Sequence, residues 1–322
     1  MLAKPFIKWA GGKTQLLGAI ERTLPADFAQ HPDVTYIEPF VGGGAVLFWI
    51  LQKYPNIKQA VISDINPNLM KAYATIKYNP ADLIIELHKI QSEYIPLNDK
   101  QRKIYYLQKR EQFNTKVLNT IEKTALFIFL NRTCFNGLYR VNKQGLFNVP
   151  FGKYDNPKIC DEQTIFADSD LLQRVNILTG DFSETLPFAK KNTLFYFDPP
   201  YKPLSETSSF TSYTKEDFND SEQIRLHDFC VEINRYGFHF ILSNSDVKND
   251  FFDKLYADFD IQRVFAIRSV NANAEKRGKL TELMINNFNV NEYHYKQLAQ
   301  IQKAVSMEPN VDYKKRKNNH DL

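Results

Sequence analysis

The chain has 322 residues, 43% hydrophobic and 24% charged, a balance that excludes a disordered or fibrous protein and leaves room for one large α/β domain plus an inserted module. Cys134, Cys160 and Cys230 lie far apart and the six histidines are scattered, so neither a disulfide framework nor a metal site is expected, and a cytoplasmic location fits. No apolar run reaches membrane-spanning length and the first residues show no signal-peptide core, so no membrane partner is expected. The net charge is only +4, but residues 99–158 hold twelve Lys/Arg against four Asp/Glu, so the rest of the chain is net negative. A basic segment on an acidic body is the footprint of a polyanion-binding module. A solvated helical face would account for many of the same charges.

Taken in order, residues 6–20 place Gly11-Gly12 before Lys13 at the start of an expected helix. The glycines let backbone approach a ligand closely, and Lys13 beside free N–H groups favours an anion. Gly-Lys-Thr is present, but the phosphate-loop spacing is not. Residues 34–48 then read as a strand ending at Glu38, a glycine loop (Gly42-Gly43-Gly44) and an apolar helix, the first βα turn of a doubly wound fold. A second strand, residues 60–64, ends at Asp64. That acid lies twenty residues past Gly44, the separation that reaches a ribose hydroxyl pair. The glycines do not follow the dinucleotide pattern, so a nucleoside without pyrophosphate is favoured. Asn66-Pro67 starts a helix running to about residue 77.

Residues 80–123 read as helices broken near Pro96, and a further helix holds residues 125–130. Nothing there repeats the βα rhythm, so an inserted helical module is expected. Two extended runs, 138–141 and 146–149, then flank Asn142-Lys143-Gln144-Gly145 as a hairpin. Arg and Asn interleave with aromatics in this stretch: Arg can pair bidentately with guanine, and an aromatic can wedge between base steps. A buried aromatic hairpin with surface cations is the alternative.

After Asp161 the βα rhythm returns. Residues 175–182 form a strand ending in Gly180-Asp181-Phe182, where Asp181 can accept from an adenine amine while Phe182 packs on the ring. Asp181 can equally cap the following helix. Residues 193–197 form a buried strand that delivers Asp198-Pro199-Pro200-Tyr201 to the carboxyl edge of the sheet. A stiff loop with one carboxylate, backbone carbonyls and an aromatic face suits a flat ring bearing an exocyclic amine. A polar flap at 204–213, a helix at 220–236, a strand at 238–244 and two final strands at 261–267 and 280–287 follow. Between the last two lies a basic loop, 268–279. The tail from residue 289 ends in a Lys/Arg run.

Lys8-Trp9-Ala10-Gly11-Gly12-Lys13, Glu38-Pro39-Phe40-Val41-Gly42-Gly43-Gly44, Asp64, Gly180-Asp181-Phe182 and Asp198-Pro199-Pro200-Tyr201 occur in one order. Together they closely resemble the Dam/DpnII-type, D12 class DNA adenine-N6 methyltransferases of the alpha arrangement. The hairpin resembles the branch acting on GATC, through Asn131-Arg132, Asn136-Gly137-Leu138-Tyr139-Arg140 and Phe147-Asn148-Val149-Pro150-Phe151-Gly152.

The resemblance implies a Rossmann-like class I methyltransferase sheet with helices on both faces. It also implies a discontinuous catalytic domain at 1–78 and 161–290, a helical and β-hairpin DNA-recognition insertion at 79–160, and a basic extension at 291–322. The implied methyl donor is S-adenosylmethionine, giving S-adenosylhomocysteine, with no metal. Trp9, Ala10, Gly11, Gly12 and Lys13 would line its methionine side; Glu38, Pro39, Phe40, Gly42 and Gly44 would hold the amino-acid end. Asp64 would bind the ribose, with Asp181 and Phe182 on the adenine. The implied partner is double-stranded DNA, bound by a monomer or by two copies on one palindromic site. Arg140 would read guanine, Leu138 and Pro150 would touch the groove, and Asn136 would bridge the separated bases. Phe135 stands where relatives place an intercalating aromatic, often Tyr. Arg132 belongs to the same segment, Lys8 and Tyr154 match positions near flanking DNA, and Lys153 stands where some relatives carry Arg.

The implied chemistry centres on a target adenine swung out of the duplex. Tyr201 stacks on it, while Asp198 and the Pro199 carbonyl accept its N6–H bonds, with Pro200 stiffening the loop. A role in a restriction–modification system is the expected setting, a solitary methyltransferase the alternative. An RNA or protein amide methyltransferase and an inactive DNA-binding regulator are the competing classes.

Overall fold

The strands form where β-branched and aromatic residues run together. Among the described residues they are β1 (Val34–Glu38), β2 (Ile57–Ile62), β3 (Val175–Ile177), β4 (Thr193–Phe197), β5 (His239–Ser245), β6 (Asp260–Ala266) and β7 (Leu280–Asn286). They make one seven-stranded sheet in the order β3-β2-β1-β4-β5-β7-β6. The computed structural model describes residues 2–202, 218–247, 249–266 and 280–288. The expected flap at 204–213, the loop at 268–279 and the basic tail lie outside them. β1 to β5 run parallel, and β7 inserts antiparallel between β5 and β6. The order reverses direction between β1 and β4, which leaves a crevice at the carboxyl ends of those strands.

β1 and β4 are buried at every position, as strands covered on both faces must be. Alternate side chains feed two cores. Tyr36, Ala60, Leu194, Tyr196 and Ile241 face one. That face is covered by α1 (Leu17–Thr23), α2 (Ala45–Lys53), α3 (Pro67–Tyr78), α4 (Pro80–Tyr94), α5 (Asp99–Thr115), α6 (Thr120–Thr133) and α7 (Glu162–Leu172). Ile37, Val61, Phe195, Phe197, Phe240 and Leu242 face the other, under α8 (Asp220–Arg235) and α9 (Phe251–Leu255). The sheet is thus a Rossmann-like one with helices on both faces, as expected.

The helices begin where the sequence offers caps. Asn66 accepts from the N–H groups of Asn68 and Leu69 at the head of α3. Asn98 with Gln101, and Asn119 with Glu122, form capping boxes for α5 and α6. α6 is buried at every residue from 124 to 131, because it runs through the middle of the helical layer. The expected helix after Gly12 is interrupted: Lys13–Gln15 form a 3₁₀ turn and α1 starts only at Leu17. The Leu16 N–H closes on the Lys13 carbonyl at 2.8 Å, three residues back, which ends the tight turn before α1 begins.

The expected hairpin is a loop with two isolated antiparallel bridges, Cys134 with Phe151 and Val141 with Phe147. α5 supplies what the missing ladder does not. Arg102, Tyr106, Arg110 and Asn114, spaced by four on one helix face, bond to the backbone of the loop. Arg102 donates to the Tyr154 and Asp155 carbonyls at 3.2 and 2.9 Å, Tyr106 and Arg110 to the Val149 carbonyl at 2.8 and 3.1 Å, and Asn114 to the Phe147 carbonyl at 2.9 Å.

Candidate active site

The carboxyl ends of β3, β2, β1 and β4 each present an acid, and these stand in that order along the sheet edge: Asp181, Asp64, Glu38 and Asp198. Each has a different environment. Glu38 is 2% exposed and accepts from the Tyr36 hydroxyl at 2.8 Å. Burial drives its carboxyl well above the usual range, against the pull of that hydrogen bond. Asp64 is pushed up to about 6 by burial, opposed by the N–H groups of Asn66 and Gly42 at 2.9 and 3.2 Å. Asp181 is held well below the ordinary range, first by the Arg225 guanidinium, then by Ser183.

The glycine loop is shaped by contact. Gly44 takes φ +77°, and a Cβ there would meet the Tyr73 hydroxyl at 2.5 Å. Gly42 and Gly43 lie against the Trp9 indole, which stacks on Tyr139 with centroids 5.5 Å apart. Trp9 therefore joins the glycine loop to the loop that carries Tyr139. Pro39 is buried and Phe40 half-buried, its ring 5.5 Å from Phe182 and 5.7 Å from Phe218. Ala10, Gly11 and Gly12 are exposed.

The Asp198 corner draws groups from five parts of the chain. Asp198 Oδ1 receives the Lys13 ammonium at 2.8 Å and the Ser243 hydroxyl at 3.2 Å. Burial raises its carboxyl, and Lys13 opposes the rise. The Lys13 ammonium also donates to the Gly11 carbonyl at 2.9 Å and sits 4.4 Å from the centre of the Tyr201 ring. Tyr201 donates to Glu282 on β7 at 2.6 Å. Gln223 on α8 donates to the Pro200 carbonyl at 3.1 Å, and Asn244 on β5 donates to Gln223 at 3.1 Å. Pro199 is buried. An amine nitrogen placed at this corner meets one carboxylate and one aromatic face together.

Lys13, Glu38, Asp64, Asp181 and the Asp198 loop converge on this edge. Ser243, Gln223, Asn244, Glu282 and Arg225 were not foreseen. For Ser243 and Asn244 there was a signal: a polar pair closing an apolar strand must be buried and bonded. For the helix and β7 residues there was none, because their partners are distant in sequence. Phe182 is 3% exposed, its ring covered by aromatic neighbours and by the Arg225 guanidinium at 4.1 Å, so its face is already occupied.

Residues 134–154 present Phe135, 53% exposed, together with exposed Asn136, Arg140, Pro150 and Lys153. Leu138 is half-buried. Arg140 is braced by the Asn148 side chain at 2.8 Å. Asn136 sits at φ +55° beside Gly137 at φ +64°, where a Cβ would strike the Lys8 chain at 2.4 Å. Lys8 lies over the half-buried Tyr154 ring at 4.6 Å. Arg132 departs from the expected role. It turns inward, donating to the Phe6 carbonyl at 2.6 Å with its Nε buried, because the segment ahead of Trp9 needs that donor.

The description "D12 class N6 adenine-specific DNA methyltransferase" matches residues 9–270. The chain belongs to this family. It is 50% identical over 291 residues to "Type II methyltransferase M.MjaIII" of Methanocaldococcus jannaschii, covering 89% of this chain and all of that one. It is 39% identical over 290 residues to "Type II methyltransferase M1.LlaDCHI" of Lactococcus lactis, covering 88% and 95%. To a "DNA adenine methylase" of Haemophilus influenzae it is 35% identical over 283 residues, covering 87% and 92%. The protein is therefore an adenine-N6 methyltransferase acting on DNA.

Proposed function

We propose that the protein transfers a methyl group from S-adenosylmethionine to adenine in double-stranded GATC, within a restriction–modification system. The observation that carries the donor assignment is the row of four acids. S-Adenosylmethionine has an adenine amine, a ribose diol and an ammonium group in sequence, and Asp181, Asp64 and Glu38 offer acceptors in that same sequence. The donor set therefore fits the group. Once bound, it would supply an electrophilic sulfonium methyl.

The residues of the chain then do the rest. Asp198 and the Pro199 carbonyl accept the two N6–H bonds of the extruded adenine, localising its lone pair, and Tyr201 stacks on the ring. Lys13 holds its ammonium on Asp198 and above Tyr201, and it yields Asp198 when the base enters. Extrusion costs about a few kcal/mol, offset by Tyr201 stacking and by Phe135 filling the gap. Residues 79–160 form the recognition segment between the catalytic parts, 1–78 and 161–290. Its Arg140 pairs with guanine and its Asn136 bridges the parted bases, with Leu138 and Pro150 in the groove. Lys8, Lys153 and Tyr154 hold flanking DNA.

The test is digestion of treated duplex DNA with one nuclease that cuts only methylated GATC and one that cuts only unmethylated GATC. Protection against the second and sensitivity to the first are expected. Equal methyl incorporation into duplexes lacking GATC would overturn the sequence assignment.

A further inference from the structure

Asp181 is unusual among the four acids in being crowded with donors. Its Oδ1 receives the Ser183 N–H at 3.0 Å, the Ser183 hydroxyl at 2.6 Å and one Arg225 nitrogen at 2.9 Å. Its Oδ2 receives the second Arg225 nitrogen at 2.7 Å. A carboxylate offers about two acceptor sites per oxygen. Oδ1 is therefore saturated, while Oδ2 retains one site. Arg225 is itself pinned: Glu222, one helical turn back on α8, takes its Nε at 3.2 Å and its terminal nitrogen at 2.6 Å. The guanidinium also lies 4.1 Å from the centre of the Phe182 ring. Arg225 is thus held on three sides, and it holds the carboxylate in turn.

Resting on the reading that Asp181 accepts the donor's adenine amine, we propose that Arg225 is the positioning residue that makes the adenine subsite selective for a 6-amino purine. Ser183 anchors only Oδ1, and Asp χ2 is a soft torsion, so without the guanidinium Oδ2 would swing about that anchor. The bidentate pair fixes its plane and commits the remaining site on Oδ2 to one direction. The guanidinium closes the face of Phe182, so the purine has to enter edge-on toward that site. Only a purine with an N–H donor at position 6 satisfies it.

The experiment measures binding of S-adenosylhomocysteine, and of its analogue with hydrogen in place of the 6-amino group, to the full chain. The wild type is expected to prefer the amino form by roughly tenfold to a hundredfold, the range for a hydrogen bond to a charged acceptor. Arg225→Ala should bring that preference to within about threefold, and Arg225→Lys should restore part of it, since Lys is a point donor without the fork. A merely structural Arg225 would weaken both ligands equally and leave their ratio intact, which would overturn the proposal. Asp181→Ala, which removes both acceptor oxygens, serves as the second arm. If it leaves the ratio unchanged, Asp181 is not the adenine acceptor and the underlying reading fails. If it abolishes the ratio while Arg225→Ala does not, only the role of Arg225 falls. Unfolding midpoints without ligand separate either result from loss of the fold.

Discussion

The Asp198 corner and the loop of residues 134–154 are built by opposite means. At the corner, Asp198 and Tyr201 follow a strand with neighbours on both sides, and Lys13, Ser243, Gln223 and Glu282 reach in from four other elements. In residues 134–154 there are two isolated bridges, and the inner edge is hung on the α5 side chains. The outer side chains Phe135, Asn136 and Arg140 stand in solvent. Chemistry demands atoms fixed to about 0.5 Å, which a ladder and converging bonds provide. Under the proposed function, reading a duplex needs side chains free to meet the bases, and a braced loop suits that.

Several measurements would break or sharpen that contrast. Asp198→Ala should abolish methylation, by about a thousandfold or more, since the acceptor that localises the lone pair is gone. S-Adenosylhomocysteine affinity measured calorimetrically should stay within about threefold; retained turnover would sink the corner as the seat of chemistry. Arg140→Ala should lower kcat/KM on GATC duplexes by about tenfold to a hundredfold and relax discrimination at the guanine, the range for one bidentate base contact. An equal loss on all sequences would make Arg140 a phosphate contact instead.

Glu282→Ala should be milder, lowering kcat about fivefold by freeing the Tyr201 hydroxyl, the scale of one hydrogen bond. Glu282→Gln, which can still accept, should recover most of it. The last measurement is in pH. Burial lifts Asp64 to about 6 from an ordinary 3.8, so the folded protein takes up a proton between those values. Ribose hydroxyls need the carboxylate as acceptor. Donor affinity should therefore fall below about pH 6, by at most about tenfold per pH unit, and Asp64→Asn should flatten the profile. Stability runs the other way: the Asp64 contribution declines as pH rises through the same window. A flat binding profile in the wild type would remove Asp64 from the donor site.

Much of the basic excess in residues 99–158 had been legible as a polyanion surface, and part of it is not one. Arg102 is 9% exposed and Arg110 bonds the Val149 carbonyl, both bracing the loop from within. Arg132 likewise serves the Phe6 carbonyl. Charge counting cannot separate these from Arg140, because a buried guanidinium that satisfies carbonyls has the same sequence signature as an exposed one. The hairpin signal was similarly half right. Asn142 and Gly145 do turn the chain, with Asn142 Oδ1 accepting from Gln144 and Leu146. The two runs pair around Val141 and Phe147, through Asn142 N–H to the Leu146 carbonyl and Asn148 N–H to the Arg140 carbonyl, but the pairing stops there and no ladder extends. The side chains that replace it come from α5, residues 102–114, which nothing local connects to the loop.

What the sequence determined by itself was the succession of strands along the chain and the acid that ends or follows each of the first four. Apolar runs must be buried, glycine and proline must interrupt them, and both rules act over a few residues. Only the tertiary structure decided which acids carry a partner and of what kind: Tyr36 on Glu38, backbone N–H groups on Asp64, Arg225 on Asp181, Lys13 and Ser243 on Asp198. Those bonds set the charge and direction of each carboxylate. Most of them join residues far apart in the chain, so no local pattern could have announced them.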